Sequence, residues 1–285
     1  MPELPEVETI RQDLSQKIIN KKIKLVEVHK TNMIKDVKSK FINNLKNNQI
    51  IRADRIGKLL IFDLASGNHL LVHLRMTGQL IYVLKNDVTA GGHDWPQVDS
   101  LPNKYSHIIF HFSDNSKLFF NDLRQFGYMQ IVNSQTKDEI KKKFGIEPLQ
   151  SDFTWNNFKK LLAKKKSILK LFLLNQQMIS GIGNIYADEI CFRAGVLPDR
   201  RLNTLTETEK KKIFQTCQYI IKKAIEKRGT TFSNYVDSDA KSGNFSDQLK
   251  VYGRGGERCL SCRQEIIKKV RLGGRGTTFC PNCQK

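Results

Sequence analysis

Long apolar runs are missing from this sequence. Nothing in its 285 residues approaches the roughly 18 consecutive apolar residues that a membrane-spanning helix needs, and no apolar signal core follows the start. A membrane span and an export signal are therefore not expected, and the chain reads as a protein of the cytosol or nucleoid. Internal repeats and low-complexity tracts are missing too, which argues against a solenoid or repeat array. Acidic residues are scarce: 28 Asp and Glu stand against 48 Lys and Arg, a formal net charge of +20. That excess favours a polyanionic partner, because each phosphate neutralised releases counterions. Charge alone does not choose between DNA, RNA, a ribosome and an anionic membrane face. Cysteine is sparse as well; Cys191 and Cys217 stand alone in helical contexts and read as buried thiols.

What is present suits two folded domains: charged residues are 27% and hydrophobic residues 39%. In "PEVETIRQDLSQKII", Val7, Ile10, Leu14 and Ile18 recur at helical spacing, with Pro5 in the first turn and Glu6 and Glu8 at the positive helix end. From Lys24 to Ile131 the period changes. "KIKLVEVH", "QIIRADRI", "KLLIFDL", "HLLVHLRM", "QLIYVL", "HIIFHF" and "KLFFND" predict short strands of a β-sandwich or barrel. Residues 85–105 read as a long surface loop. The polar stretch 133–150, with Pro148, reads as a linker. Helical runs follow at 155–177, from Asn184, and from Thr206, whose pairing with Glu209 predicts a capping box. The expected divisions are 1–132, a linker at 133–150, a helical domain at 151–250 and a C-terminal module at 251–285.

Four cysteines fall in that last module. Cys259 and Cys262 form one C-x-x-C, Cys280 and Cys283 another, with residues 263–279 between. Each knuckle turns two thiolates toward one point, and two knuckles complete a tetrahedron for zinc; two disulfides are the other reading, which a reducing compartment disfavours. Four thiolates leave no open position, so the ion is structural. Between the knuckles, "EIIKKVRLGGRGTTF" predicts strand, turn and strand, with Arg275 at the tip as a phosphate contact or simply a solvated charge. In "ISGIGNIYADEICFRAG", Gly181 and Gly183 predict a tight turn, Asn184 a helix cap and Gly195 the helix end. A glycine turn into a helix N-terminus suits an anion, although an ordinary helix connection looks the same. At the start, loss of Met1 would leave Pro2 a free secondary amine; α-amines have pKa values of about 7.7–8.0, so part is unprotonated near neutrality. Such an amine can attack a sugar C1′ to give an iminium, with Glu3 moving protons. An N-terminal stub is the plainer reading.

"MPELPEVETIR", "GKLLIF", "HLRMTGQL", "NDLRQFG", "ISGIGNIYADEICFRAGVLPDR", "LKVYGRGGERC" and "RGTTFCPNCQK" occur in that order from Met1 to Lys285. The ordered set resembles the bacterial formamidopyrimidine-DNA glycosylases. The resemblance implies an α+β fold: an N-terminal β-sandwich flanked by helices, a C-terminal helix–two-turn–helix domain and a zinc-stapled β-hairpin. It implies a monomer that removes 8-oxoguanine and formamidopyrimidines from double-stranded DNA and cleaves the abasic site by β,δ-elimination, with one structural zinc ion and no other cofactor.

By the same resemblance Pro2 is the nucleophile and Glu3 the general acid/base, and Glu6 lies near the damaged base. Lys58 contacts the phosphate beside the lesion. Asn184 and Arg275 hold phosphates flanking the flipped nucleotide, and Lys170 is a further lysine of the DNA site. Met76, Arg124 and Phe126 fill the gap left by the extruded base, with Arg124 facing the orphaned cytosine; unstacking costs a few kcal/mol, and apolar wedges offset part of it. Without the resemblance, Lys58 and Lys170 would read as solvated charges, and Met76 and Phe126 as core. Residues 230–254 correspond to a loop over the extruded base, expected to be mobile without DNA. Three features depart from the family pattern: Leu123 for the frequent Pro or Val, Gln125 for a common basic residue, and the long 85–105 insert. An endonuclease VIII-like enzyme for oxidised pyrimidines and a non-catalytic zinc DNA-binding protein are the competing readings.

Overall fold

Strands of β-branched and aromatic residues form where every second side chain can leave water. The computed structural model describes residues 1–85, 87–92, 100–163, 166–230 and 245–285. They fall into two units, Met1–Lys142 with Lys227–Asn244, and Lys143–Glu226 with Phe245–Lys285.

The first unit contains α1 (Leu4–Ile18), β1 (Ile23–Val28), α2 (Lys38–Leu45), β2 (Ile50–Ile56), β3 (Leu59–Leu64), β4 (His69–His73), β5 (Gly78–Leu84), β6 (Asp87–Gly92), β7 (Ser106–Phe112), β8 (Lys117–Asp122), β9 (Tyr128–Val132) and α3 (Ser134–Lys141). The strands make two antiparallel sheets, in the orders β1-β7-β8-β5-β6 and β2-β3-β4-β9. Alternation sorts their side chains. Phe62 and Leu64 of β3, Tyr82 of β5, Phe110 of β7 and Phe120 of β8 enter one core, where Val7, Ile10, Leu14 and Ile18 of α1 join them. Ile81, Ile109 and Phe119 point the other way and form a small cluster of their own. Each large side chain removed from water contributes about 1.5–3 kcal/mol, which holds the sandwich together.

Two sequence expectations change here. The 85–105 stretch is not all loop: β6 pairs with β5 from Gln79↔Gly92 to Leu84↔Asp87, because the hairpin offers β5 a partner for its open edge. The 133–150 linker begins with α3, where Asn133 caps the helix by accepting from the Thr136 N–H at 2.8 Å. His69 Nδ1 lies 2.6 Å from Asp63 Oδ1 and its Nε2 3.0 Å from Ser134 Oγ, fastening the first turn of α3 to β3 and β4.

The second unit contains α4 (Trp155–Ala163), α5 (Leu169–Leu174), α6 (Asn184–Ala194), α7 (Glu207–Glu226), β10 (Lys268–Leu272) and β11 (Arg275–Phe279). The helical run predicted over 155–177 is two helices. Ile168 is extended, and the Leu169 and Lys170 N–H groups donate to Arg200 O and Pro198 O at 2.9 Å, so α5 starts afresh on a neighbouring segment. Gln176 staples the turn between α5 and α6: its amide donates to Ile182 O at 2.7 Å and its Oε1 accepts from Gly181 N at 2.8 Å. The predicted box at α7 forms, with Thr206 N donating to Glu209 Oε2 at 2.8 Å and Glu209 N to Thr206 Oγ1 at 3.2 Å. Gly195 ends α6 in the left-handed region.

Candidate active site and nucleic-acid interface

The chain start is docked. Pro2 and Glu3 are buried, and Glu3 is the extended N-cap of α1. Glu6, three residues on, accepts the Glu3 N–H at 2.8 Å through Oε2. Its other oxygen accepts from Thr230 N at 2.8 Å and Thr230 Oγ1 at 3.2 Å. Glu6 therefore ties the start of the chain to residue 230. The close approach explains Gly229: a Cβ there would lie 2.6 Å from Glu6 Oε1. Two turns along α1, Asp13 holds Arg228 at 2.6 Å. Of the 230–254 loop implied by resemblance, 231–244 lies outside the described residues. Lys250, Val251 and Tyr252 are held by their N–H groups on the buried Glu189 carboxylate at 2.9–3.0 Å.

Lys58 sits on the turn between β2 and β3. Arg55 steadies this turn, donating to Glu8 of α1 at 2.7 Å and to Gly57 O at 3.4 Å. Burial alone would raise the Glu8 carboxyl; the Arg11 hydrogen bond and the charges of Arg55 and Arg11 outweigh it and hold it below the ordinary value. Nearby lies a residue that sequence reasoning passed over. His73 is lowered to about 3 by burial and by the charges of Arg75, Lys58 and Lys35. Lys35 Nζ stands 3.7 Å from the Tyr128 ring centroid, and the His73 and Tyr128 rings are 5.7 Å apart. Three cations around a neutral imidazole make an anion-seeking surface. The signal in the sequence, His73 and Arg75 in "HLRM", needed the fold to bring in Lys35 and Lys58.

Met76, Arg124 and Phe126 come together at one rim of the sandwich. Arg124 Nη1 donates to Met76 Sδ at 3.1 Å, and its guanidinium stands 4.6 Å from the Phe126 ring centroid. Met76 is 39% and Phe126 53% exposed. Apolar side chains held out in water at loop tips suggest a surface meant to be covered.

In the second unit, Lys170 is corrected. It is fully buried, and its Nζ lies 2.7 Å from Asp188 Oδ1, 2.7 Å from Gly276 O and 2.9 Å from Thr277 Oγ1. An ammonium has three donors, so none is left for a DNA phosphate. Lys170 instead fixes β11 to α5 and α6. Asp188 completes the lock by accepting from Thr278 N at 2.9 Å and Thr278 Oγ1 at 3.0 Å; burial pushes its carboxyl up, against the pull of Lys170. Asn184 departs from its expected place as the helix cap. Gly183 is the N-cap, and the Asn184 amide donates to Gly276 O at 3.0 Å. Arg275 is exposed one residue before this lock, behind a Gly273-Gly274 tip with φ of +52 and +77. Both values suit a two-residue hairpin turn.

The four cysteine sulfurs lie within 4.8 Å of one another, with Cys259–Cys283 at 3.8 Å and Cys262–Cys280 at 3.7 Å. Those separations are too long for disulfides, and they match the edge of about 3.8 Å in a tetrahedron with Zn–S bonds of about 2.3 Å. Backbone N–H groups of Glu265 and Gln264 lower Cys262 to about 6, whereas burial and the neighbouring sulfurs push Cys283 up to about 12. Four thiolates this close need a dication among them. The cluster is a site for one structural zinc ion.

Three family descriptions match in order: the formamidopyrimidine-DNA glycosylase N-terminal domain over residues 1–129, the H2TH domain of the same glycosylase over 144–235, and the zinc finger found in FPG and IleRS over 256–285. The chain belongs to the formamidopyrimidine-DNA glycosylase family. It is 40% identical to the formamidopyrimidine-DNA glycosylase of Listeria monocytogenes and 38% identical to that of Pelotomaculum thermopropionicum, covering all of this chain and 99–100% of each relative. Among solved structures of the family, a Lactococcus lactis Fpg mutant bound to DNA containing Fapy-dG aligns over both full chains with a TM-score of 0.87 and 32% identity. The complex of Lactococcus lactis Fpg with DNA containing an abasic site gives 0.87 and 32% over 99% of each chain.

Proposed function

We propose that this protein is a base-excision repair glycosylase that removes oxidised purines from duplex DNA and cleaves the abasic site left behind. The observation that carries this is the full-length likeness to a glycosylase solved on Fapy-dG DNA, with Pro2 and Glu3 docked at the head of α1. Removal of Met1 frees the Pro2 nitrogen. That nitrogen bonds to C1′ as the C1′–N9 bond breaks and the base leaves with a proton. Glu3 protonates the opening sugar ring oxygen, and the C1′–N pair becomes an iminium. The iminium acidifies the C2′ proton; its loss expels the 3′ phosphate, and a second elimination expels the 5′ phosphate. Water then releases Pro2, leaving a one-nucleotide gap with phosphate ends.

Lys58, Asn184 and Arg275 hold phosphates around the lesion, and His73 with Lys35 and Arg75 extends that contact. Met76, Arg124 and Phe126 occupy the space of the extruded nucleotide. The zinc ion keeps the Arg275 hairpin folded. Among the described residues no helix is long and apolar enough to cross a membrane, and the protein works as a monomer on DNA in the bacterial cytosol.

Borohydride reduction tests the chemistry. Protein lacking Met1, mixed with an 8-oxoguanine duplex, is expected to give a covalent adduct that maps to Pro2 by mass spectrometry. Binding to abasic duplex with neither adduct nor cleavage would make it a binding protein. Faster cleavage at thymine glycol than at 8-oxoguanine would move the substrate to oxidised pyrimidines.

A further inference from the structure

Two loops carry the three side chains at the rim of the sandwich, and each crosses from one sheet to the other. Residues 74–77 run from β4 to β5, and residues 123–127 from β8 to β9. They begin and end on shared rungs, His73↔Tyr128 in one sheet and Gly78↔Asp122 in the other. Such crossings lack ladder hydrogen bonds of their own, so something else must hold them.

We propose that Asp122 is the positioning residue that joins these two loops and presents Met76, Arg124 and Phe126 to duplex DNA as one preformed wedge; this rests on the glycosylase reading above. Asp122 is fully buried. Its Oδ1 accepts from the Thr77 hydroxyl in one loop and from Arg124 N at 3.1 Å in the other. Thr77 Oγ1 also accepts from Arg124 N, at 3.0 Å, which closes a triangle across the loops. Asp122 Oδ2 accepts from Gly127 N at 2.7 Å, at the far end of the second loop. Gly127 has to be glycine for this, since a Cβ would lie 2.8 Å from the Phe120 ring and 3.0 Å from Asp122 Oδ2. Behind the carboxylate, His107 Nε2 donates to Asp122 O at 2.8 Å, and burial lowers His107 from its ordinary value.

The carboxylate matters because it only accepts. Donors from both loops converge on its two oxygens, and an amide in its place would turn an NH₂ against one of them. Gln125, between Arg124 and Phe126, has φ of +54, a conformation that L-residues keep only where their surroundings impose it. With Asp122 in place, Arg124 and Phe126 leave the loop at defined angles beside Met76. Without it, the wedge must be ordered while the base is being pulled from the stack.

The consequence is selective. Extrusion of a stacked base needs the wedge, whereas chemistry at a sugar that is already exposed does not. Asp122→Asn is therefore expected to slow single-turnover excision of 8-oxoguanine from a duplex by about ten- to a hundredfold, the range seen when reacting groups are misplaced from a distance. The rise of 2-aminopurine fluorescence beside the lesion should slow in parallel. Cleavage of an abasic site in a single-stranded oligonucleotide, with no stack to open, should stay within about twofold of wild type and so reports that the variant is folded. Thr77→Val, which removes one donor and keeps the shape, should fall between. Equal losses on the two substrates, or an unchanged duplex rate in Asp122→Asn, would overturn the inference alone. A wild-type protein that leaves both substrates intact would overturn the glycosylase reading and this inference with it.

Discussion

The loops bearing Met76, Arg124 and Phe126 leave a sandwich whose core draws on both sheets and two helices, whereas the hairpin bearing Arg275 rests on Val251, Cys259, Ile267 and Cys280. Both regions hold cationic side chains in water at the ends of strands. In the sandwich, burial supplies the rigidity and one carboxylate, Asp122, trims the loops. In the hairpin there is too little apolar surface to do the same, so a metal and a buried ion pair take its place. The difference teaches where each region is vulnerable: the hairpin's fold to loss of single groups, the core of the sandwich to loss of many contacts or to acid, and the rim loops of the sandwich to loss of Asp122.

Removing the metal should separate the two most sharply. Structural zinc in small modules is worth about 10–16 kcal/mol, far more than the hairpin's own core can supply. Chelation, or Cys280→Ser, is expected to abolish amide protection over 268–279 and with it binding to abasic duplex, while protection in β3, β7 and β8 persists. Hydrogen exchange read by mass spectrometry distinguishes this from a chain that unfolds as a whole, an outcome that would erase the comparison.

A smaller effect should come from Lys170→Met. Breaking a buried pair on one side typically costs about 3–5 kcal/mol, because the remaining charge is left without a partner. Lower protection of β11 and weaker binding to abasic duplex are expected, and the double change Lys170→Met with Asp188→Leu should restore much of the protection. If the single variant lost DNA affinity with the hairpin fully protected, Lys170 would be a direct contact after all.

The smallest effect lies on the sandwich side and depends on pH. Glu8 is held below its ordinary value by Arg11 and Arg55. Its contribution is therefore complete above the unfolded carboxyl pKa of about 4.5 and is lost as pH falls through the lower folded value. Compared with Glu8→Gln, the wild type should be more stable by no more than about 1 kcal/mol between pH 6 and 8, and the gap should close below pH 4. A gap that widened in acid would contradict the ion-pair account. Urea titrations at each pH measure it.

Much of this was legible in the residues. Cys259, Cys262, Cys280 and Cys283 announce their site because a knuckle is a local structure, fixed by spacing. Gly273-Gly274 announces its hairpin for the same reason, and Thr206 with Glu209 its helix start. The strands show their alternation, so the sandwich was readable even though its order was not: β1 pairs with β7 and β4 with β9 across long stretches of chain. Where reading went astray, a distant group decided the matter. Asn184 follows a glycine turn and looks like a cap, but Gly276 drew its amide away. The run from Trp155 has no breaker at Ile168, and the 198–200 segment broke it.

By itself, then, the order of residues determined the metal site, the hairpin turn, the capping box at α7 and the family to which the chain belongs, because each depends on neighbours a few positions apart or on motifs kept in sequence. Only the tertiary structure decided what individual charges do. Lys170 and Lys58 are the same residue type in similarly basic stretches and both are buried, yet one is locked to Asp188 and the other stands on a turn where it acts on His73 together with Arg75 and Lys35. Asp122 drew no notice in the sequence and became the joint between two loops. A charge takes its role from the partners that meet it and the water it loses, and both are settled by packing.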